Sequence, residues 1–320
     1  MSLFETYEDD LEIDELRDDL INGDNASRRM AIVNLASTGD DTVLPILEQA
    51  VNDADSGVRL QLARAMEEFD GVICAKILLV LIGDEDGEVA TAAAFSATEL
   101  KDPSCAKVLV SEMEGKTDFE KKSIFAAVKA LRSQDSYQPA LLGVRDANPA
   151  VRVNAVGVLA WLKNEDGLPA LLAATQDKDE KVRRAAIGGL AFSSHKKISD
   201  TLELALSDKH WMVRETAAET IGKTKQMSAE EKLIDCLEDD YWQVRVKAAR
   251  TLGVLKSSRA VPFLYPSLKH EISNLRKEAA AALGEIADPS CSPQLESCLE
   301  DPDPDVRKNI RWALDQIKAA

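Results

Sequence analysis

In residues 244–253, VRVKAARTLG, the apolar positions Val244, Ala248 and Leu252 stand four apart. That spacing puts them on one face of a helix. Between successive segments of this kind lies a second apolar pattern at three- and four-residue spacing, as in Val261, Leu264 and Leu268 or Leu168, Leu171 and Leu172. It predicts a shorter helix before each longer one. The connection between the two is rich in Asp, which suits turns and helix N-caps. Gly253 stands where the longer helix is expected to end, and Gly222 and Gly284 match it.

The pair of patterns repeats at a fixed interval. Steps of 31 residues lead through Arg28, Arg59, Ala90, Lys121, Arg152, Arg183, Arg214, Arg245, Arg276 and Arg307, without insertion or deletion. The preceding position is apolar in Val58, Val89, Val151, Val182, Val213, Val244, Leu275 and Val306. Asp53, Asp84, Asp146, Asp177, Asp208, Asp239 and Asp301 lie six residues before this key position. A constant period of this size predicts a solenoid of stacked units. On a helical wheel the key Arg falls beside the Ala and Leu that face neighbouring helices, where a guanidinium needs a partner. The turn aspartates, of the same or the adjacent repeat, are the predicted partners, in a bidentate ladder. These arginines therefore read as structural rather than as phosphate contacts.

The phrase D-x-D-x-x-V-R-x-x-A-A-x-A-L-G resembles the HEAT-like repeats of the phycobilin-lyase (E/Z) type, and the resemblance covers essentially the whole chain. It implies an all-α protein, an α-α superhelix of about ten 31-residue helix pairs, with the second helices lining a concave side. Residues 1–22 then form an acidic capping half-repeat carrying Ile13, Leu16 and Leu20, and residues 301–320 a C-terminal capping helix in which Arg311 replaces a small apolar residue. The repeats fall into 23–114 and 115–300. The division is set by the weakest unit, EMEGKTDFEKKS at 112–123, where Glu120 replaces the Val and Gly115 the turn Asp, and a softer joint is expected there. Such repeats serve protein binding, scaffolding, chromophore attachment and cofactor-protein assembly, so the resemblance does not choose among these functions.

Charge narrows the partners. The net charge is −17, which opposes nucleic acid and anionic membrane. Residues 1–27 hold ten acids against Arg17, a cap or a bait for a basic partner. The start MSLFETYEDD has no basic and apolar signal pattern, and no run of about 20 apolar residues occurs. With five cysteines, an odd number, reduced thiols and a cytoplasmic location are expected. Aromatics are only 5%, so Ala, Leu and Val must supply most of the core.

Catalytic chemistry finds no foothold. His195, His210 and His270 are unclustered, and the one His-Glu pair, His270-Glu271, falls short of the several that a di-iron site needs. Cys74, Cys105 and Cys291 share one register and Cys236 and Cys298 another, about 10 Å apart between adjacent repeats, too far for disulfides. No CxxC or phosphate loop is present, so no enzyme, metal or cofactor is expected. The exposed face of the second helices is more promising. Trp161 and Phe192 are register-equivalent over Ala and Gly, with Phe95 and Phe119 continuing the strip. His210-Trp211-Met212 and Tyr241-Trp242 open two adjacent second helices, and Lys223, Lys247 and Arg250 border them. The bland reading of Trp211 and Trp242 is packing over the next repeat. The expected function is a scaffold or adaptor, monomeric when free, that holds a partner protein in an aromatic groove. The alternative is a phycobilin-lyase-like or cofactor-assembly factor acting on a client protein.

Overall fold

The computed structural model describes residues 3–193 and 196–320. Among these every regular element is a helix, α or 3-10, and the chain forms an α-α superhelix of helix pairs. Two compact units divide after Leu162. The first contains the second helices Asn25–Ser37, Ser56–Ala65, Gly87–Ala97, Asp118–Leu131 and Pro149–Leu162, after an opening helix Leu3–Asn22. The second contains Glu180–Gly189, Trp211–Thr224, Trp242–Val254, Ser273–Ile286 and Pro304–Ala319. Within each unit, successive second helices pack on one another. Most of the first helices are short, and Pro45, Pro169, Pro262 and Pro293 occupy the first turn of four of them. There a missing N–H breaks no helical bond.

The core is aliphatic and small, as the composition requires. Val58, Leu62, Val182, Ile187, Val244, Ala248 and Leu252 are fully buried on the predicted face. Two buried hydroxyls bond across the stack. Ser96 Oγ donates to Ala63 O at 2.8 Å and Thr251 Oγ1 to Ala218 O at 2.7 Å.

The two turn aspartates have different jobs. The one four residues before the key position caps the second helix, as Asp24, Asp55, Asp86, Asp179 and Asp303 do by accepting backbone N–H bonds. The one six residues before it receives the arginine of the preceding repeat. The pairs are Arg28–Asp53, Arg59–Asp84 and Lys121–Asp146 in the first unit, and Arg183–Asp208, Arg214–Asp239 and Arg276–Asp301 in the second, at 2.6–3.0 Å. Each arginine of these pairs uses Nε and Nη2 as a fork, and Nη1 reaches a backbone carbonyl of its own turn, as in Arg183 Nη1 to Asp177 O at 2.9 Å. Each of these pairs therefore joins one repeat to the next within its unit, a separation of 25 residues.

This pairing rule changes the meaning of the 112–123 stretch. Gly115 stands where the partner of residue 90 belongs, and residue 90 is Ala. One rung is missing with both its members, and no charge is stranded. The next rung, Lys121–Asp146, is present at 3.0 Å. Thr117 and Glu120 form a reciprocal capping box there, and Lys116 pairs with Glu120 at 2.9 Å.

The glycine expectation is corrected. The left-handed residues that end these helices are Arg132, Lys163, Lys225, Lys256 and Ala287, eleven positions after the key residue. Gly222, Gly253 and Gly284 lie inside helices. A Cβ at Gly253 would meet Ala282 Cα at 2.7 Å. Close approach of two second helices, not helix termination, is what that position needs.

Candidate functional site

The predicted site residues fall into both compact units. In the second unit the sequence His210-Trp211 and its equivalent Tyr241-Trp242 stand at the start of adjacent second helices. His210 and Tyr241 occupy the N-cap position that Asp fills elsewhere, and neither makes a side-chain capping bond. The following N-cap, Ile272, makes none either. The Trp211 ring stacks on Tyr241 with centroids 5.4 Å apart and planes 12° from parallel, and His210 stacks on Trp211 at 6.4 Å. The Arg214 guanidinium, fixed by Asp239, lies 5.8 Å from the Tyr241 ring. Trp211 is thus an edge residue packing over the next repeat, and it also forms part of a surface strip, because Tyr241 stays 45% exposed. His210 Nδ1 is buried without a hydrogen-bond partner. Trp242 and Met212 are half-buried, with Met212 Sδ 3.6 Å from Arg184 Nη1. Phe192 is half-buried in the turn Leu190–Phe192.

In the first unit Phe95 is 59% and Trp161 44% exposed, both on second helices. Arg132, held at positive φ, lays its guanidinium 4.7 Å from the Trp161 ring. Phe119 is half-buried with Lys122 Nζ 5.0 Å from its ring. Of the register-equivalent pair Trp161 and Phe192, only Trp161 is an exposed side chain.

The basic border is present, but its cations are engaged by two carboxylates. Lys223 and Lys247 both bind Glu219, at 2.7 and 2.8 Å, and Arg250 forks onto Glu278 at 2.8 and 3.0 Å. The readable signal was a 28-residue spacing between opposite charges, which places them side by side on adjacent second helices. The bonds from Lys223 and Lys247 hold the Glu219 carboxyl down from 4.5 to about 2. In the ladder, the Arg59 fork holds Asp84, and the Arg276 fork Asp301, below the usual carboxylate range. A depressed carboxylate stabilises the fold above its unfolded pKa, and that contribution is lost as pH falls through the folded value. Thermal unfolding followed by circular dichroism is expected to be flat from about pH 7 to 5 and to weaken steadily below about 4.5. Glu219→Gln is expected to flatten part of the acid limb between 4.5 and about 2.

The five cysteines are free and buried. Burial pushes the Cys74 and Cys236 thiols up to about 12 and those of Cys105 and Cys291 to about 11. Buried thiols raised in this way hold little thiolate, and Cys74, Cys105, Cys236 and Cys291 are packing residues. Of the three histidines, His195 lies outside the described residues. His270 is not simply solvated, since it takes a ladder position beside Arg245. No helix among the described residues is long and apolar enough to cross a membrane.

Comparison with known proteins fits this architecture. Yeast importin-beta (Kap95p) superposes with a TM-score of 0.64 at 15% identity, over 96% of this chain and 50% of that one. The Escherichia coli protein YibA gives 0.54 at 21% identity over 90% and 97%. An engineered protein gives 0.51 at 19% identity over 96% and 98%. These likenesses concern the fold, and this chain spans half the length of the importin. No curated protein sequence matches significantly. HEAT repeats are matched at residues 13–97, 137–200, 173–240 and 230–315, which leaves the 112–123 stretch with Gly115 unmatched. With most of its length matched in this way, the chain belongs to the HEAT-repeat family.

Proposed function

We propose that this chain is a non-catalytic protein-binding scaffold, with the His210–Trp211–Tyr241 strip as its principal contact and Phe95 and Trp161 as further anchors. The observation that carries this reading is the replacement of helix caps by aromatics. Five second helices have a capping Asp, whereas His210 and Tyr241 make no capping bond. A lost cap costs about 1 kcal/mol. Tyr241 remains 45% exposed, so the core does not explain the exchange. Local rules broken at an exposed position are the mark of a functional surface. Rigid amphipathic rings are also what interface hot spots use.

The test is capture of partners from lysate by the full chain and by Trp211→Ala/Tyr241→Ala. A specific partner held by the wild type is expected to be retained at least tenfold less by the variant, with helical content unchanged. His210→Asp is expected to lose capture while gaining about 1 kcal/mol of stability from the restored cap. Undiminished retention by both variants overturns the assignment and moves the contact to Phe95 and Trp161. The finer resemblance to phycobilin-lyase repeats rests on the repeat phrase. Nothing in the buried thiols favours chromophore or cluster handling.

A further inference from the structure

The rung between the 245 and 276 repeats is broken on one side only. In intact rungs the aspartate does two things. Its Oδ1 accepts the backbone N–H two residues on, as Asp239 does from Tyr241 and Asp301 from Asp303, both at 2.9 Å. Its two oxygens also take the arginine fork, at 2.6 and 2.8 Å from Arg214 and at 2.7 and 2.8 Å from Arg276. In the rung after Arg245 that position is His270. Its Nδ1 does the first job, accepting Ile272 N–H at 3.1 Å. A neutral imidazole with its lone pair on Nδ1 carries its proton on Nε2. Nε2 is the atom that faces Arg245 Nη1, at 3.3 Å. Two N–H donors therefore point at one another where a carboxylate oxygen should lie.

The guanidinium has turned to match. Elsewhere Nη1 reaches the carbonyl six residues back, as in Arg214 to Asp208 and Arg276 to His270, both at 2.9 Å. In Arg245 it is Nε that reaches Asp239 O, so the Nη edge faces His270. The Asp239 carboxylate is taken by Arg214. Among the described residues no carboxylate stands within 4.0 Å of the Arg245 guanidinium. The other defective rung shows what a purely structural loss looks like, because Ala90 and Gly115 dropped cation and anion together. Here the half-buried cation is kept and its anion is gone. A half-buried guanidinium without an anion is unfavourable unless something else supplies one.

We propose that Arg245 and His270 form a carboxylate-binding site. The Arg245 Nη atoms and the His270 Nε2–H are its donors, and its ligand comes from outside the chain. The class follows from the seat, which in neighbouring rungs holds a carboxylate at 2.6–2.8 Å from the fork. The carboxylate is either that of a small acid or an Asp or Glu side chain of another polypeptide.

The experiment uses the full ¹⁵N-labelled chain, with the Ile272 amide as reporter in all variants and the His270 ring as reporter where it is present. Sodium acetate, a capped Ala-Asp-Ala peptide and inorganic phosphate are titrated separately at constant ionic strength. Saturable shifts at Ile272 and His270 with acetate or the peptide are expected, weakened at least tenfold in Arg245→Gln. Whichever saturates at the lower concentration identifies the source. His270→Asp restores the chain's own carboxylate to Arg245, so it is expected to abolish the response and to raise the unfolding midpoint. No saturable shift with either carboxylate overturns the site, as does an unchanged response in Arg245→Gln. Saturation by phosphate alone overturns the ligand class. A His270→Asp chain that is no more stable than the wild type overturns the reading of His270 as standing in a carboxylate's place. The assay contains no partner protein, so its result is independent of the scaffold reading.

Discussion

Asp208→Ala is expected to destabilise the chain by about 3 kcal/mol, read as a lowered urea midpoint at pH 7. The Arg183 and Asp208 side chains are only 7% and 13% exposed, so removing the carboxylate strands a guanidinium in a poorly solvated place. Burial alone would raise the Asp208 carboxyl, but the Arg183 fork and the His210 N–H hold it below the usual range. Removing both partners should cost much less than removing one. Arg183→Met/Asp208→Leu is therefore expected to recover most of the loss, and the chain already tolerates the joint absence at Ala90 and Gly115. Glu85→Ala is the contrast. Glu85 is 93% exposed and 4.0 Å from Arg59, and its removal is expected to change stability by less than about 0.5 kcal/mol. Equal effects at Asp208 and Glu85 would refute a ladder that holds the repeats together.

Gly253→Val is expected to destabilise by about 3 kcal/mol, because a side chain there meets the backbone of the next second helix. The first added atom already lies 2.7 Å from Ala282 Cα, and backbone cannot swing aside as a flexible side chain would. Lys256→Gly should do the opposite. Lys256 holds φ at 53°, and Ser257 N–H returns to Leu252 O at 3.0 Å to close the helix end. A glycine relieves the left-handed strain, for a gain of about 1 kcal/mol. The two variants separate close packing from helix termination. Were Gly253 the terminator, Lys256→Gly would bring no gain.

The exposure of several candidate residues was legible, though not the charge balance around them. Trp161, Phe95 and Tyr241 are exposed, as their wheel and turn positions require. Phe192 is half-buried, because the turn Leu190–Phe192 replaces the last helical turn that Trp161 occupies in its own repeat. Lys223, Lys247 and Arg250 lie where the register puts them, but Glu219 and Glu278 meet them there. A count of cations along one helix cannot see an acid delivered by its neighbour.

The sequence by itself determined the repeat, the helix pair, the buried stripe and the need of each key arginine for an aspartate. All of these follow from periodicity along one helix and from the cost of burying charge. Only the tertiary structure decided that the partner belongs to the following repeat, 25 residues on. It also decided that Gly253 serves close contact and that His270 stands in a carboxylate's seat. Those facts depend on how far one repeat is displaced against the next, a distance of about 10 Å set by side-chain packing between helices and written in no single repeat.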